Sequence, residues 1–189
     1  MTKVYFVRHG QTKENAHHLI QGRKNFPLSE KGKAEIRKTG LYLKNNGYHI
    51  DAIYSSPLDR AMESANIIRD IISIKKEVIK EEGLIERDFG KAEGIKISPR
   101  VYRDILSDSF SGMEKALDIE KRMLETTKKI IKENEGKTIL IVSHSHAIKA
   151  LLCALDQKRK FTFPLKNASL TKITEENGIL EIVYSNKVV

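Results

Sequence analysis

Tryptophan is absent, cysteine occurs once, and aromatic residues of all kinds make up 6% of the chain. A single thiol, Cys153, excludes an internal disulfide and fits a reducing compartment. So few rings supply no stacking platform of the sort that single-strand nucleic-acid binders use. Long apolar runs are missing as well. No stretch approaches the ~20 residues that cross a bilayer, and Met1–Arg8 is apolar too briefly, with no small-residue cleavage site, to read as a signal peptide. The expectation is a cytoplasmic protein with no membrane partner. No repeat, low-complexity tract or linker interrupts the chain, so 1–189 reads as a single domain.

Charge is plentiful: 34 Lys and Arg oppose 25 Asp and Glu, for a formal net charge of +9. Such an excess suits nucleic acid, an acidic membrane surface or a small anionic substrate. The lysines (Lys31, Lys33, Lys128 and Lys129 among them) are scattered and mixed with glutamates. That distribution describes a solvated surface, and no nucleic-acid partner is expected. Oligomeric state is not legible.

Strand-like and helix-like segments alternate. Lys3–Val7 and Thr138–Val142 are short apolar runs with the character of buried parallel strands. Asp51–Tyr54 is a third strand, and Glu77–Ile79 a short fourth. Ser29 caps a helix to Asn46 that uses Ala34, Ile36, Leu41 and Leu43 for apolar contacts. Ser56-Pro57-Leu58-Asp59 has the form of a cap with proline at the first helical position, opening a helix with Ala61, Ala65, Ile68 and Ile72 on one face. The spacing predicts a long helix over Met113–Asn134 with Leu117, Leu124, Thr127 and Ile131 on its stripe, and an apolar helix over Ala147–Leu155 that buries an inert Cys153. Met113, Leu117 and Leu124 are expected in the core. Glu176-Asn177-Gly178 joins two strands, Ser169–Thr174 and Ile179–Tyr184, as a hairpin. The fold class is therefore α/β: a three-layer sandwich with a mainly parallel central sheet, helices on both faces and a C-terminal antiparallel hairpin. Ligands in such sheets sit beyond the carboxyl ends of the strands.

Two strand ends carry unusual residues. One strand runs into Arg8-His9-Gly10 and another into Ser143-His144-Ser145, while Arg60 begins the helix after a third. Guanidinium forks match phosphate oxygens in charge and shape, helix N-terminal amides add to such a site, and a neutral imidazole is a competent nucleophile. A carboxylic acid must protonate the leaving alkoxide, and Glu86 is the candidate. His144 and His146 form an H-x-H pair, but no third ligand is spaced nearby, so no metal or cofactor is expected; His146 reads as a helix-start residue, and His17 and His18 as a solvated loop.

Arg8-His9-Gly10-Gln11-Thr12 with Asn15, Gln21-Gly22, Pro27-Leu28-Ser29-Glu30-Lys31-Gly32, Ser55-Ser56-Pro57-Leu58-Asp59-Arg60-Ala61, Glu86 with Gly90, Glu93 and Gly94, and Val142-Ser143-His144 occur in this order. Together they resemble the motif blocks of the histidine phosphatase (phosphoglycerate mutase-like) superfamily. The resemblance implies that His9 is phosphorylated, that Arg8, Arg60 and His144 hold the phosphoryl group, and that Glu86 gives and takes the proton. Asn15, Gln21 and Gly22 would bind phosphate or substrate oxygens, with the backbone N–H of Ser145, where the family commonly has glycine. Three other positions depart from the pattern: Asn25 where aspartate is frequent, Ser64 for threonine, and Ala92 for tryptophan. The resemblance also implies metal-independent chemistry on a small phosphorylated metabolite. The segment 94–113, read as a short lid-like insertion, favours a phosphatase over the family's mutases, which are longer there. A cofactor-dependent phosphoglycerate mutase and a non-catalytic phosphometabolite-binding protein are the alternatives. Arg100 and Arg103 in that segment are candidates to meet a second charged group on the substrate, with plain surface charge the preferred reading.

Overall fold

The chain has one long-range organiser, a six-stranded sheet, which a computed structural model describes together with all of residues 1–189. The strands are β1 (Thr2–Arg8), β2 (Ala52–Ser55), β3 (Ile79–Lys80), β4 (Thr138–Ser143), β5 (Leu170–Glu176) and β6 (Ile179–Lys187), in the order β3-β2-β4-β1-β5-β6. Strands β1 to β4 pair in parallel, while β5 pairs antiparallel with both β1 and β6. The β5–β6 turn places Asn177 at φ 53° and Gly178 at φ 83°, the left-handed pair that suits a two-residue hairpin. The expected sheet and hairpin are both present.

Alternation along the strands builds two cores. Val4, Phe6, Ile139 and Ile141 face α5 (Ala116–Lys132) and α6 (Ser145–Leu155) on one side. Tyr5, Val7, Leu140 and Val142 face α2 (Glu30–Asn45) and α3 (Asp59–Ile72) on the other. Successive side chains of a strand point to opposite faces, so strands buried on both sides must be apolar throughout. Burying a side chain such as Phe6 contributes about 1.5–3 kcal/mol. The remaining helices are a short α1 (Lys13–Ala16) and α4 (Pro99–Leu106), with single 3-10 turns at Glu82–Leu84 and Gly90–Ala92.

Several local expectations need correction. Ala34 and Leu41 are exposed on α2, whose buried side is Gly32, Ile36, Thr39, Gly40 and Leu43; two and five residues from Ile36 fall on other faces at 100° per residue. The helix read over Met113–Asn134 is α5, three residues shorter at its start. Its stripe is Ile119, Met123, Thr126, Thr127, Ile130 and Ile131, and Leu117 is 76% exposed because it lies about half a turn from Ile119. Met113 is buried ahead of the helix, and Leu124 flanks the core. Ser56 does not cap α3, which begins at Asp59 without a side-chain cap. The short strand read over Glu77–Ile79 is the two-residue β3, Ile79–Lys80, at the edge of the sheet.

Candidate active site

Register explains why the two histidines meet. Arg8 lies opposite Ser143 in the β1–β4 pair, and Ser55 opposite Val142 in the β2–β4 pair. The residues that follow each strand therefore leave the same edge together. His9 N–H donates to Ser143 O at 3.0 Å, and the His9 and His144 rings lie 5.1 Å apart between centroids. Ser56 Oγ is 2.7 Å from His144 Nε2, a contact that occupies the hydroxyl expected to cap α3.

His9 is buried and its Nδ1 lies 2.7 Å from Gly10 O. A carbonyl oxygen can only accept, so Nδ1 carries the proton and Nε2 keeps its lone pair. Gly10 itself is pressed against the backbone of Gly32 at the start of α2, and a Cβ on Gly32 would collide with Gln11 O. Only glycine fits this close approach of loop to helix. Ser64 locks the other side: its Oγ accepts from Gly10 N–H at 3.2 Å and donates to Arg60 O at 2.6 Å. Asn167 Nδ2 donates to His9 O at 3.0 Å and to Asn15 Oδ1 at 3.3 Å.

The arginines are held by backbone carbonyls, not by carboxylates. Arg60, second residue of α3, donates to Gly22 O at 2.7 Å and Lys24 O at 2.8 Å. Arg8 Nη1 donates to Leu165 O. Burial pushes both guanidinium groups down to about 10, so they stay charged at neutral pH. Arg8 Nε, Arg60 Nε and His144 Nδ1 are buried with no protein partner, an uncommon condition in folded proteins.

Glu86 follows the 3-10 turn that leaves β3. Its carboxylate accepts from Arg87 N–H at 2.9 Å, Ala147 N–H at 3.0 Å and His146 N–H at 3.3 Å, which docks it on the N-terminus of α6. Ile148 N–H closes onto His144 O. Among the first-turn amides of α6, that of Ser145 is thus left without a protein acceptor. Asn15 and Gln21 use their carbonyl oxygens within the protein, Asn15 Oδ1 from Thr12 N–H at 3.2 Å and Gln21 Oε1 from Thr12 Oγ1 at 3.0 Å. Arg8, His9, Asn15, Gln21, Gly22, Arg60, Glu86 and Ser145 all line one cavity of about 700 Å³. His144 is fully buried behind it. No group of three or more His, Cys, Asp or Glu side chains is placed to hold a metal ion.

The family model described as the histidine phosphatase superfamily (branch 1) matches residues 4–188. The chain belongs to that superfamily. It is 34% identical over 152 residues to the uncharacterized phosphatase PhoE of Bacillus subtilis, covering 80% of this chain and 76% of the relative. Identity to phosphoserine phosphatase 1 of Hydrogenobacter thermophilus is 30%, over 96% of this chain and 92% of that one. Among solved structures, a mutant phosphoserine phosphatase of Entamoeba histolytica in complex with phosphoserine superposes with a TM-score of 0.85 at 29% identity, covering 100% of this chain and 98% of that one.

Burial, then Arg60 and Arg8, hold the His9 imidazole well below its ordinary range; burial, then Arg60 and His9, do the same to His144. A histidine phosphatase of this build carries a defined pH signature. Above about pH 6.5 both folded and unfolded chains hold these rings neutral, and the rings add no pH dependence to stability. Below it the unfolded chain takes up protons that the folded one refuses, so stability falls as pH falls, by up to about 1.4 kcal/mol per pH unit for each ring. Denaturant titrations between pH 7.5 and 5.5 are expected to show this loss, and inorganic phosphate to reduce it. A flat profile over that window contradicts the buried neutral pair.

Two residues on the cavity carry no sequence signal strong enough to single them out: Asn167 and Lys149. Asn167 is an ordinary loop residue whose role exists only through the register of the sheet. Lys149 did leave a trace, as the one lysine or arginine in the helix Ser145–Leu155. His146 lines the cavity as well as starting the helix, edge-on to Phe89 at 4.8 Å between centroids. His17 and His18 are exposed, with His18 at the cavity rim.

Proposed function

We propose that the protein, a phosphatase of this superfamily, hydrolyses small phosphomonoesters by passing the phosphoryl group through His9, without a metal ion, in the cytoplasm and with neither nucleic acid nor membrane as partner. The observation that carries this reading is the free lone pair of His9 Nε2, fixed by the Nδ1–H bond to Gly10 O inside a pocket with a buried Arg60 and a half-buried Arg8, both held by backbone carbonyls and neither by a carboxylate. In the first step Nε2 attacks phosphorus and the bond from phosphorus to the ester oxygen breaks. Arg8 and Arg60 neutralise the charge on the three equatorial oxygens, and N–H groups of the neutral His144 ring and of the Ser145 backbone donate hydrogen bonds to them. Asn15 and Gln21 offer their free amide N–H groups to the same oxygens or to the ester, and Gly22 leaves room beside them. Glu86 supplies the proton to the departing alkoxide. In the second step Glu86 takes a proton from water, the water oxygen attacks phosphorus, the N–P bond breaks, and inorganic phosphate leaves.

The segment 94–113 acts in this reading as a lid-like wall: α4 and its approach place Ile97, Tyr102 and Ile105 on the cavity. Relatives point to small phosphorylated acids as ligands, since the Entamoeba histolytica enzyme has been solved with phosphoserine and with 3-phosphoglyceric acid. The test is hydrolysis of p-nitrophenyl phosphate and of a panel of phosphorylated metabolites in excess EDTA. Turnover within twofold of the untreated enzyme is expected. Activity that vanishes in EDTA and returns only with a divalent cation overturns the mechanism.

A further inference from the structure

Arg100 and Arg103 are exposed, and neither lines the cavity. The geometry points instead to Lys149 as the subsite for a second anionic group on the substrate, a carboxylate or a second phosphate. This rests on the phosphatase reading above and narrows it to esters that carry such a group near the phosphorus.

Lys149 is set on the cavity by helix geometry. It lies three residues after His146 and four after Ser145 on α6, the spacing that stacks side chains on one face, and all three line the cavity. It is 7% exposed, yet its ammonium forms no hydrogen bond or ion pair within the protein. The one carboxylate that acts on it is Glu86, whose oxygens are already taken by the amides of Arg87, His146 and Ala147. Phe163 offers its ring face at 5.5 Å, a partial substitute for water. Arg8 adds repulsion from nearby, and with burial as the larger cause the ammonium is pushed down to about 8.

A second buried cation in the same region is treated differently. Arg87 is fully buried but bonds the Asp108 carboxylate, Glu114 O and Ile105 O. The chain thus pairs a cation that serves the fold and leaves unpaired the one that reaches the cavity. An ammonium so little exposed and without a counter-ion favours an arriving anion, at a site whose apolar walls, Phe89, Ile105 and Leu165, strengthen the attraction.

Matched substrates isolate the effect. O-phosphoserine and O-phosphoethanolamine differ by a carboxylate, as 3-phosphoglycerate and glycerol 3-phosphate do at one carbon. Fructose 1,6-bisphosphate and fructose 6-phosphate differ by a second phosphate. The quantity read is the ratio of kcat/KM within each pair, in which any loss common to both members cancels. Lys149→Met is expected to lower that ratio at least about tenfold in one class of pair, chiefly through KM, and Lys149→Arg to restore most of it. The class that responds tells carboxylate from phosphate. Lys149→Gln replaces the methionine variant where the latter does not fold. Equal ratios in wild type and charge-removed variants, with a wild type that turns over p-nitrophenyl phosphate, overturn the subsite and leave the phosphatase reading intact. A wild type inactive on every ester overturns both.

Discussion

His9→Ala is expected to lower kcat/KM for any phosphomonoester by at least about 10⁴-fold, because removing a nucleophile leaves only binding and electrostatics to act on a water attack. The variant should fold. Its side chain ends in a pocket whose other members are held without it: Arg60 by Gly22 O and Lys24 O, Glu86 by three amides, Gly10 by the Ser64 hydroxyl. Removing a buried imidazole of depressed basicity also removes part of the acid-side instability. The denaturation midpoint of His9→Ala at pH 5.5 is therefore expected to fall less from its pH 7.5 value than that of the wild type. Residual activity within about tenfold of wild type would transfer the nucleophile to another residue.

Glu86→Gln carries the second large effect, and it depends on the leaving group. General acid catalysis supplies about 10²–10⁴-fold when the departing oxygen is a poor leaving group. Alkyl phosphates such as glycerol 3-phosphate should lose that much in kcat. p-Nitrophenyl phosphate, whose phenolate leaves without protonation, should lose less than about tenfold in the first step. The amide side chain keeps one acceptor oxygen for the N-terminus of α6 but replaces the other with donors, so some misplacement of the helix is expected. That loss is common to all substrates and cancels in the comparison. The diagnostic is the slope of log kcat/KM against leaving-group pKa, which should steepen. An equal loss on both kinds of ester makes Glu86 an anchor for α6 and not a proton donor.

The strands that matter for the site were plain in the amino-acid order, since β1 and β4 are buried on both faces and read as unbroken apolar runs. That two such runs end in Arg8-His9 and Ser143-His144 made their convergence predictable from topology alone. Helix ends were read less well, and one pair of positions shows why. Ser56-Pro57 and Ser98-Pro99 offer the same cap signal, but only the second is used: Ser98 accepts from Val101 N–H and Pro99 opens α4. Ser56 Oγ lies 2.7 Å from His144 Nε2 and accepts only a long bond of 3.4 Å from Leu58 N–H, so the tertiary contact is the closer one and the helix starts later, at Asp59. Leu117 failed for a different reason. Its spacing to Leu124 fits a heptad, but the true stripe through Ile119 and Met123 is set by where α5 meets the sheet, which no local pattern encodes. Glu86 illustrates a limit of another kind: its candidacy was legible, but its seat on the amides of His146 and Ala147 joins positions some sixty residues apart.

The departures from the family pattern are absorbed by the surroundings. Ser64 keeps the hydroxyl that ties Gly10 to Arg60 O. Asn25 Oδ1 accepts from Asp59 N–H at 2.7 Å and so supports the first turn of α3, the turn that carries Arg60. Ala92 is fully buried in a small cluster with Ile20, Phe89, Ile105 and Met113.

Mixing enzyme with a phosphomonoester, quenching in alkali within milliseconds and locating phosphate by peptide mass spectrometry addresses the shared nucleophile at the root of this account. Phosphate bound to His9, rising to a steady level early and decaying at the rate of turnover once substrate is removed, is the expected result. Product released in a burst with no phosphate on that peptide, or with phosphate on a different side chain, contradicts it.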